Sequence, residues 1–175
     1  KGLIMDAVRK ANSEHPGGAM SSADFIYLLF KDYLKFDPKD PNWFDRDRFI
    51  LSGGHMSMLQ YGILHLVGWM KLSEIKKFRQ LGSQTPGHPE VEIPGVECTT
   101  GPLGQGFAMG VGMALAEAYL SNLISNNDKE SKKLIDHFTY VLATDGDLQE
   151  PVALGAAAIA GHLGLNKLVV YYDAN

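Results

Sequence analysis

Two stretches decide the fold: Tyr140-Val141-Leu142-Ala143-Thr144-Asp145-Gly146-Asp147 and Leu168-Val169-Val170-Tyr171-Tyr172-Asp173-Ala174-Asn175. Each opens on a β-rich run without polar alternation, as expected of strands covered on both faces in a parallel sheet. The Ala-rich segment from Val152 to Leu163 lies between them and supplies the helix that a parallel crossover needs. Strand, turn, helix and strand together predict an α/β domain, three layers α/β/α around a largely parallel sheet. Ligands of such sheets gather outside the carboxyl ends of the strands, and both Asp145 and Asn175 fall at such ends. A carboxylate and a carboxamide suit Mg²⁺ or Ca²⁺, which take oxygen ligands. Spacing alone leaves a second reading open, with Asp145 and Asp147 as turn formers and Asn175 as a cap.

Working outward, Arg48-Phe49-Ile50-Leu51-Ser52 reads as a further buried strand running into Gly53-Gly54-His55. A helix follows, with Leu59, Ile63, Leu66, Val67 and Met70 on one face. Near the amino end Ile4, Ala7, Val8 and Ala11 recur at helical spacing, and Ser13-Glu14-His15-Pro16-Gly17-Gly18 reads as the turn that ends that helix. Ser21 is the expected cap of a second helix carrying Phe25, Ile26, Leu29, Phe30 and Tyr33. Residues 35–47 read as an exposed connection, residues 73–81 as a short helix, and residues 82–100, with Pro86, Pro89 and Pro94, as a long irregular segment of the kind that is functional or disordered. Residues 126–133 read as a charged surface connection.

Gly101-Pro102-Leu103-Gly104-Gln105-Gly106 opens a helix of small residues and partly matches a dinucleotide phosphate loop. The flanking Glu97-Cys98-Thr99-Thr100 is a poor strand, so glycines that allow close helix packing are the simpler reading. His15, His55 and His88 stand in glycine or proline turns, where folding needs no imidazole. Hydrogen bonding or proton transfer is the role that suits them. His65, His137 and His162 read as packing or surface residues. Glu150 opens the crossover helix, where it complements the helix dipole, and joins the three loop histidines as a catalytic candidate.

Composition bounds the partners. With 16 basic and 20 acidic side chains the formal charge is −4, and no run of Lys or Arg exceeds a pair. Nucleic acid and anionic membranes are therefore not expected partners. The longest strongly apolar run, Phe107 to Ala116, is short for a membrane span and interrupted by glycine. A single cysteine, Cys98, excludes an intrachain disulfide, and a reducing, cytoplasmic location is expected.

In order along the chain, Ser13-Glu14-His15-Pro16-Gly17, Asp45 to Ser52, Gly54-His55, Thr85-Pro86-Gly87-His88-Pro89-Glu90, Gly101 to Gly106, and Asp145-Gly146 through Asp173-Ala174-Asn175 resemble the N-terminal, diphosphate-binding domain of transketolase. The resemblance implies a domain that binds thiamine diphosphate through Mg²⁺ or Ca²⁺ at a homodimer interface, with the active site shared between subunits or completed by a complementary C-terminal subunit. It implies that Asp145 and Asn175 ligate the metal and that Gly146 lets the backbone approach the diphosphate. Gly101 and Leu103 would meet the aminopyrimidine side of the cofactor through the main chain. His55 would neighbour diphosphate and substrate, while His15 and His88 would hydrogen-bond the C1 hydroxyl of a donor ketose phosphate.

The implied reaction is transfer of a two-carbon ketol unit to an aldose phosphate, with the cofactor storing the carbanion. Residues 1–175 would be the N-terminal part of that domain, without the pyrimidine-binding domain, which carries the activating glutamate, or the C-terminal domain. The chain alone is then expected not to turn over, and its strand edge and cofactor cleft to be open. Three positions depart from the family: Thr144 and Pro151 stand where Gly is usual, and Gly155 where several members carry an acid. Pro is tolerated in a first helical turn, whereas Thr144 adds a branched side chain beside the diphosphate. Alternatives are a catalytically impaired paralogue or subunit, a 1-deoxyxylulose-5-phosphate synthase-like enzyme and, more remotely, a nucleotide-linked dehydrogenase.

Overall fold

The structure, a computed structural model, describes residues 1–125 and 134–174. Asn175 and the expected connection over residues 126–133 lie outside them. The elements run α1 (Gly2–Ala11), α2 (Pro16–Ser21), α3 (Ala23–Leu28), a π-helical turn (Leu29–Tyr33), β1 (Arg48–Leu51), a 3₁₀ turn (Gly54–Met56), α4 (Ser57–Leu66), α5 (Leu72–Ile75), α6 (Gln105–Ser125), β2 (Thr139–Thr144), α7 (Asp145–Gln149), α8 (Pro151–Leu163) and β3 (Leu168–Asp173). The three strands lie in the order β1-β2-β3, all parallel, with Phe49 opposite Tyr140 and Thr144 opposite Asp173.

Side chains alternate across a strand, and this sorts the core into two layers. Phe49, Leu51 and Leu142 face a cluster built from α1 to α5, including Ile4, Ile26 and Leu59. Ile50, Val141 and Ala143 face Phe107 and Val111 of α6 and Ala153 of α8. The expected three-layer α/β/α arrangement is therefore observed. α6 comes unusually close to the sheet. A side-chain carbon at Gly106 would sit 2.7 Å from Ser52 Cα, and one at Gly110 2.5 Å from Val141 Cγ2. Close packing thus accounts for these two glycines, as the simpler reading holds.

Several local expectations need correction. Gly17 and Gly18 lie inside α2, because Pro16 occupies its first turn with a φ already suited to a helix. Ser21 caps nothing: its hydroxyl donates to the Gly18 carbonyl, and Ser22 joins α2 to α3 in helical geometry. The π turn after α3 changes the helical phase, and Tyr33 ends 73% exposed instead of joining the core. Leu66 is likewise exposed at the end of α4. An extra short helix, α7, precedes the crossover helix. Two covered faces hold for β1 and β2 only, since Val169 to Tyr172 of β3 are 39–48% exposed. By length and composition α6 could cross a membrane, which the count of uninterrupted apolar residues did not register. In this fold it packs against β1, β2 and α8, with Glu117 buried on it.

Candidate active site

The carboxyl ends of β1 and β2 are tied together by one buried carboxylate. Asp147 Oδ1 accepts from the Ser52 hydroxyl at 2.8 Å and the Gly104 N–H at 2.7 Å. Its Oδ2 accepts from the Thr144 N–H at 2.9 Å and the Thr144 hydroxyl at 3.0 Å. Ser52 Oγ in turn accepts from the Phe107 N–H at 2.9 Å. Thr144 and Asp147 form a reciprocal capping box at the start of α7. Asp147 is therefore more than a turn former: it fixes β1, β2, the 101–106 loop and the start of α6 relative to one another. The capping spacing Thr-x-x-Asp was visible in the sequence, but its long-range partners were not.

Thr144 does not project into the open site. Its hydroxyl is held by Asp147 and its methyl faces Gly53, with the residue buried. Gly104 adopts φ +79°, a conformation that glycine takes without steric cost, and this turns the loop so that its N–H meets Asp147.

Three histidines meet above this frame. His15 precedes α2, and its ring lies edge-on to that of His55, centroids 5.2 Å apart. His55 sits in the 3₁₀ turn after β1. The His88 ring borders Gly101, whose absent Cβ would be 3.5 Å from Cδ2. The loop carrying His88 is anchored by the Tyr61 hydroxyl, which lies 2.9 Å from the Pro86 carbonyl and 3.2 Å from that of His88. Burial, then the neighbouring His15 and His88, hold the His55 imidazole below its ordinary value despite Asp147 and Asp173 nearby. Burial, the Arg79 guanidinium and His15 depress His88 in the same direction. Both rings are therefore biased toward the neutral form, which can donate through one nitrogen and accept through the other.

The remaining expected residues divide. Leu103 and Gly146 are brought together: a Cβ on Gly146 would lie 3.0 Å from Leu103 Cδ1. Asp145 opens α7, half-buried, and no hydrogen bond or ion pair engages its carboxylate among the described residues. Asn175, its expected partner on a metal, lies outside them. Glu150 is the N-cap of α8, is exposed, and packs its Cβ toward Gly104. Among the described residues no hydrogen bond links it to the three histidines. Pro151 fits the first turn of α8 as expected, and Gly155 faces open space. Sequence reasoning also passed over Glu14 and Arg79, which pair beside His15 at 2.8 Å.

A parallel α/β domain with a glycine loop, a carboxylate unengaged among the described residues and histidines at the strand ends has the layout in which open sheets of this kind hold ligands. The family model described as "Transketolase, thiamine diphosphate binding domain" matches residues 1–175. The chain belongs to the transketolase family and carries its thiamine diphosphate-binding domain. Transketolase 2 of Escherichia coli (strain K12) is 54% identical over 177 residues, spanning 100% of this chain. A solved transketolase from Leishmania mexicana superposes with a TM-score of 0.94 at 47% identity over 99% of the chain. For one from Campylobacter jejuni the values are 0.90 and 46%, again over 99%. The chain spans 26% of the length of each of these three relatives.

Proposed function

We propose that this domain serves a transketolase, which moves a two-carbon ketol unit from a ketose phosphate to an aldose phosphate. The observation that carries the reading is the meeting of His15, His55 and His88 with Gly101 and the Asp147-tied loop at the carboxyl ends of β1 and β2. When bound, thiamine diphosphate would supply the carbanion that attacks the donor carbonyl.

The residues present fit that group. Asp145 offers a half-buried oxygen donor without a competing partner, the chemistry a hard divalent cation requires, with Asn175 as its companion ligand. Gly146 keeps the backbone beside it free of a side chain, and the Gly101 and Leu103 main chain borders the adjoining space. His15 and His88 would hold a substrate hydroxyl between them. His55, with its depressed pKa, would remain neutral near pH 7 and exchange hydrogen bonds as charge develops on oxygen. Thr144, turned into its capping box, gives no support to a loss of cofactor binding. Glu150, exposed at the start of α8, stays a candidate for proton transfer in this reading.

A homodimer that shares the site belongs to the same proposal and rests on membership of the family. A cytoplasmic location is part of the same proposal, in keeping with the single Cys98 of these 175 residues. Calorimetry on the full protein tests the core of the proposal. Thiamine diphosphate should bind with Mg²⁺ or Ca²⁺ and lose affinity in excess chelator, and Asp145→Ala should weaken binding at least about tenfold, about 1.4 kcal/mol. Equal affinity with chelator would remove the metal from the reading. A coupled assay of aldose phosphate release separates an active enzyme from a paralogue without turnover.

A further inference from the structure

Three non-glycine residues have positive φ among the described residues: Asn12, Glu14 and Arg79. Asn12 ends α1 in the left-handed conformation that asparagine tolerates. Neither Glu14, at φ 140°, nor Arg79, at φ 59°, has such an excuse, and these two are each other's ion-pair partners. Strain retained at two touching residues points to a role for the contact they make.

Glu14 has a side chain with 0% exposure, and its Oε2 accepts from Arg79 Nε at 2.8 Å. The His15 backbone N–H and the Ser57 side chain act on the same buried carboxylate. The Arg79 Nη1 donates to Ser13 Oγ at 2.5 Å, and the Arg79 backbone N–H donates to the Thr85 carbonyl at 2.9 Å. A Cβ on Gly87 would lie 2.8 Å from the guanidinium, so the backbone next to His88 rests on Arg79. One arginine thus grips the segment that carries His15 and the loop that carries His88, which are 73 positions apart in the chain. Burial raises the Glu14 carboxyl to about 7 against the pull of Arg79. A buried acid held at such a cost is poorly explained as generic surface charge.

We infer that Glu14 and Arg79 are positioning residues that clip the His15 segment to the His88 loop and so set the spacing of the two imidazoles. The inference deepens the proposed function and rests on it for the identity of the substrate held between those rings. The clip itself is a property of the protein without cofactor.

The test uses the full protein and the variants Glu14→Gly, which relieves the backbone, Glu14→Gln, which keeps an acceptor for Arg79, and Arg79→Leu. In cofactor-free protein, the imidazole NMR resonances of both His15 and His88 should move in Glu14→Gly and Arg79→Leu and return toward wild type in Glu14→Gln. With thiamine diphosphate and metal, the two disruptive variants should raise the KM for the donor ketose phosphate about tenfold and leave the acceptor KM within about twofold. Glu14→Gln should restore the donor KM to within about threefold, and Glu14→Gly combined with Arg79→Leu should be no worse than the poorer single variant. Unmoved resonances in a folded Glu14→Gly protein overturn the clip, as does a loss spread equally over both KM values and tracking a lowered Tm. If the protein proves not to use thiamine diphosphate, the resonances still decide the clip. If it does use the cofactor and the resonances stay fixed, the clip alone falls.

Discussion

The two ends of the same three strands are built on opposite plans. At the amino ends, charges are matched almost one for one. Asp47 accepts from the Phe138 and Lys35 N–H groups at 2.7 and 2.8 Å, and Asp45 from the Asp136 N–H and Lys35 Nζ, both at 2.7 Å. Arg46 grips Glu97 with two nitrogens, at 3.0 and 2.8 Å, while Lys167 bridges Glu117 and Asp136. Among the described residues His137 Nδ1 and the Thr139 hydroxyl, both buried and without a hydrogen-bond partner, are the exceptions there. At the carboxyl ends three imidazoles gather beside an Asp145 carboxylate that no hydrogen bond or ion pair engages among the described residues. Asp147 alone there is saturated with partners, and it holds the others' scaffold in place. One end spends its polar groups on the fold and the other keeps them available for a ligand.

The largest expected effect comes from cutting the tie that makes the open end possible. Asp147→Ala strands the Ser52 hydroxyl and the Gly104 and Thr144 N–H groups, all buried, and should cost about 3–5 kcal/mol in urea unfolding. Cofactor affinity should fall with it, because the 101–106 loop loses its anchor. Unchanged stability would mean that the carboxyl ends are held by packing and that the contrast is drawn in the wrong place. Next comes Glu97→Gln at the amino ends. Glu97 is 10% exposed and faces both Arg46 and Arg48, so its neutralisation should cost about 2 kcal/mol. In contrast with Asp147→Ala, cofactor affinity and substrate KM should stay within about twofold of wild type. A change in either would show that the two ends are coupled.

The sequence carried more of one end than of the other. Strand and helix periodicity located β1, β2, β3, α1 and α8 to within a residue or two, because a buried face imposes a local rule on neighbouring positions. Glycine and histidine in turns flagged His15, His55, His88 and the 101–106 loop for a similar reason: residues without a local structural use stand out. The tie made by Asp147 and the pair formed by Glu14 and Arg79 were invisible because each joins segments far apart in the chain, Asp147 to Ser52 over 95 positions and Arg79 to Glu14 over 65. The helix break at Leu29–Tyr33 was missed because it depends on neighbours, and a window of sequence contains only the segment itself.

The smallest predicted effect compares the histidines of the two ends through their response to pH. His55, His88 and His137 all lie below the ordinary value of 6.5, first through burial. An unfolded chain therefore binds protons on these rings before the folded one does, so each contributes stability at neutral pH that declines as pH falls below about 6.5. The contribution of each ring is expected to be small, since none of the three is wholly removed from solvent. The causes after burial differ. His55 is depressed by His15 and His88, whereas Arg48 acts on His137. Replacing His88 with Gln should therefore raise the His55 pKa in an NMR titration and leave that of His137 where it was. A His55 titration indifferent to His88 would show that the imidazoles, although gathered, do not act on one another. The carboxyl ends would then be a set of separate donors, and the substrate alone would couple them.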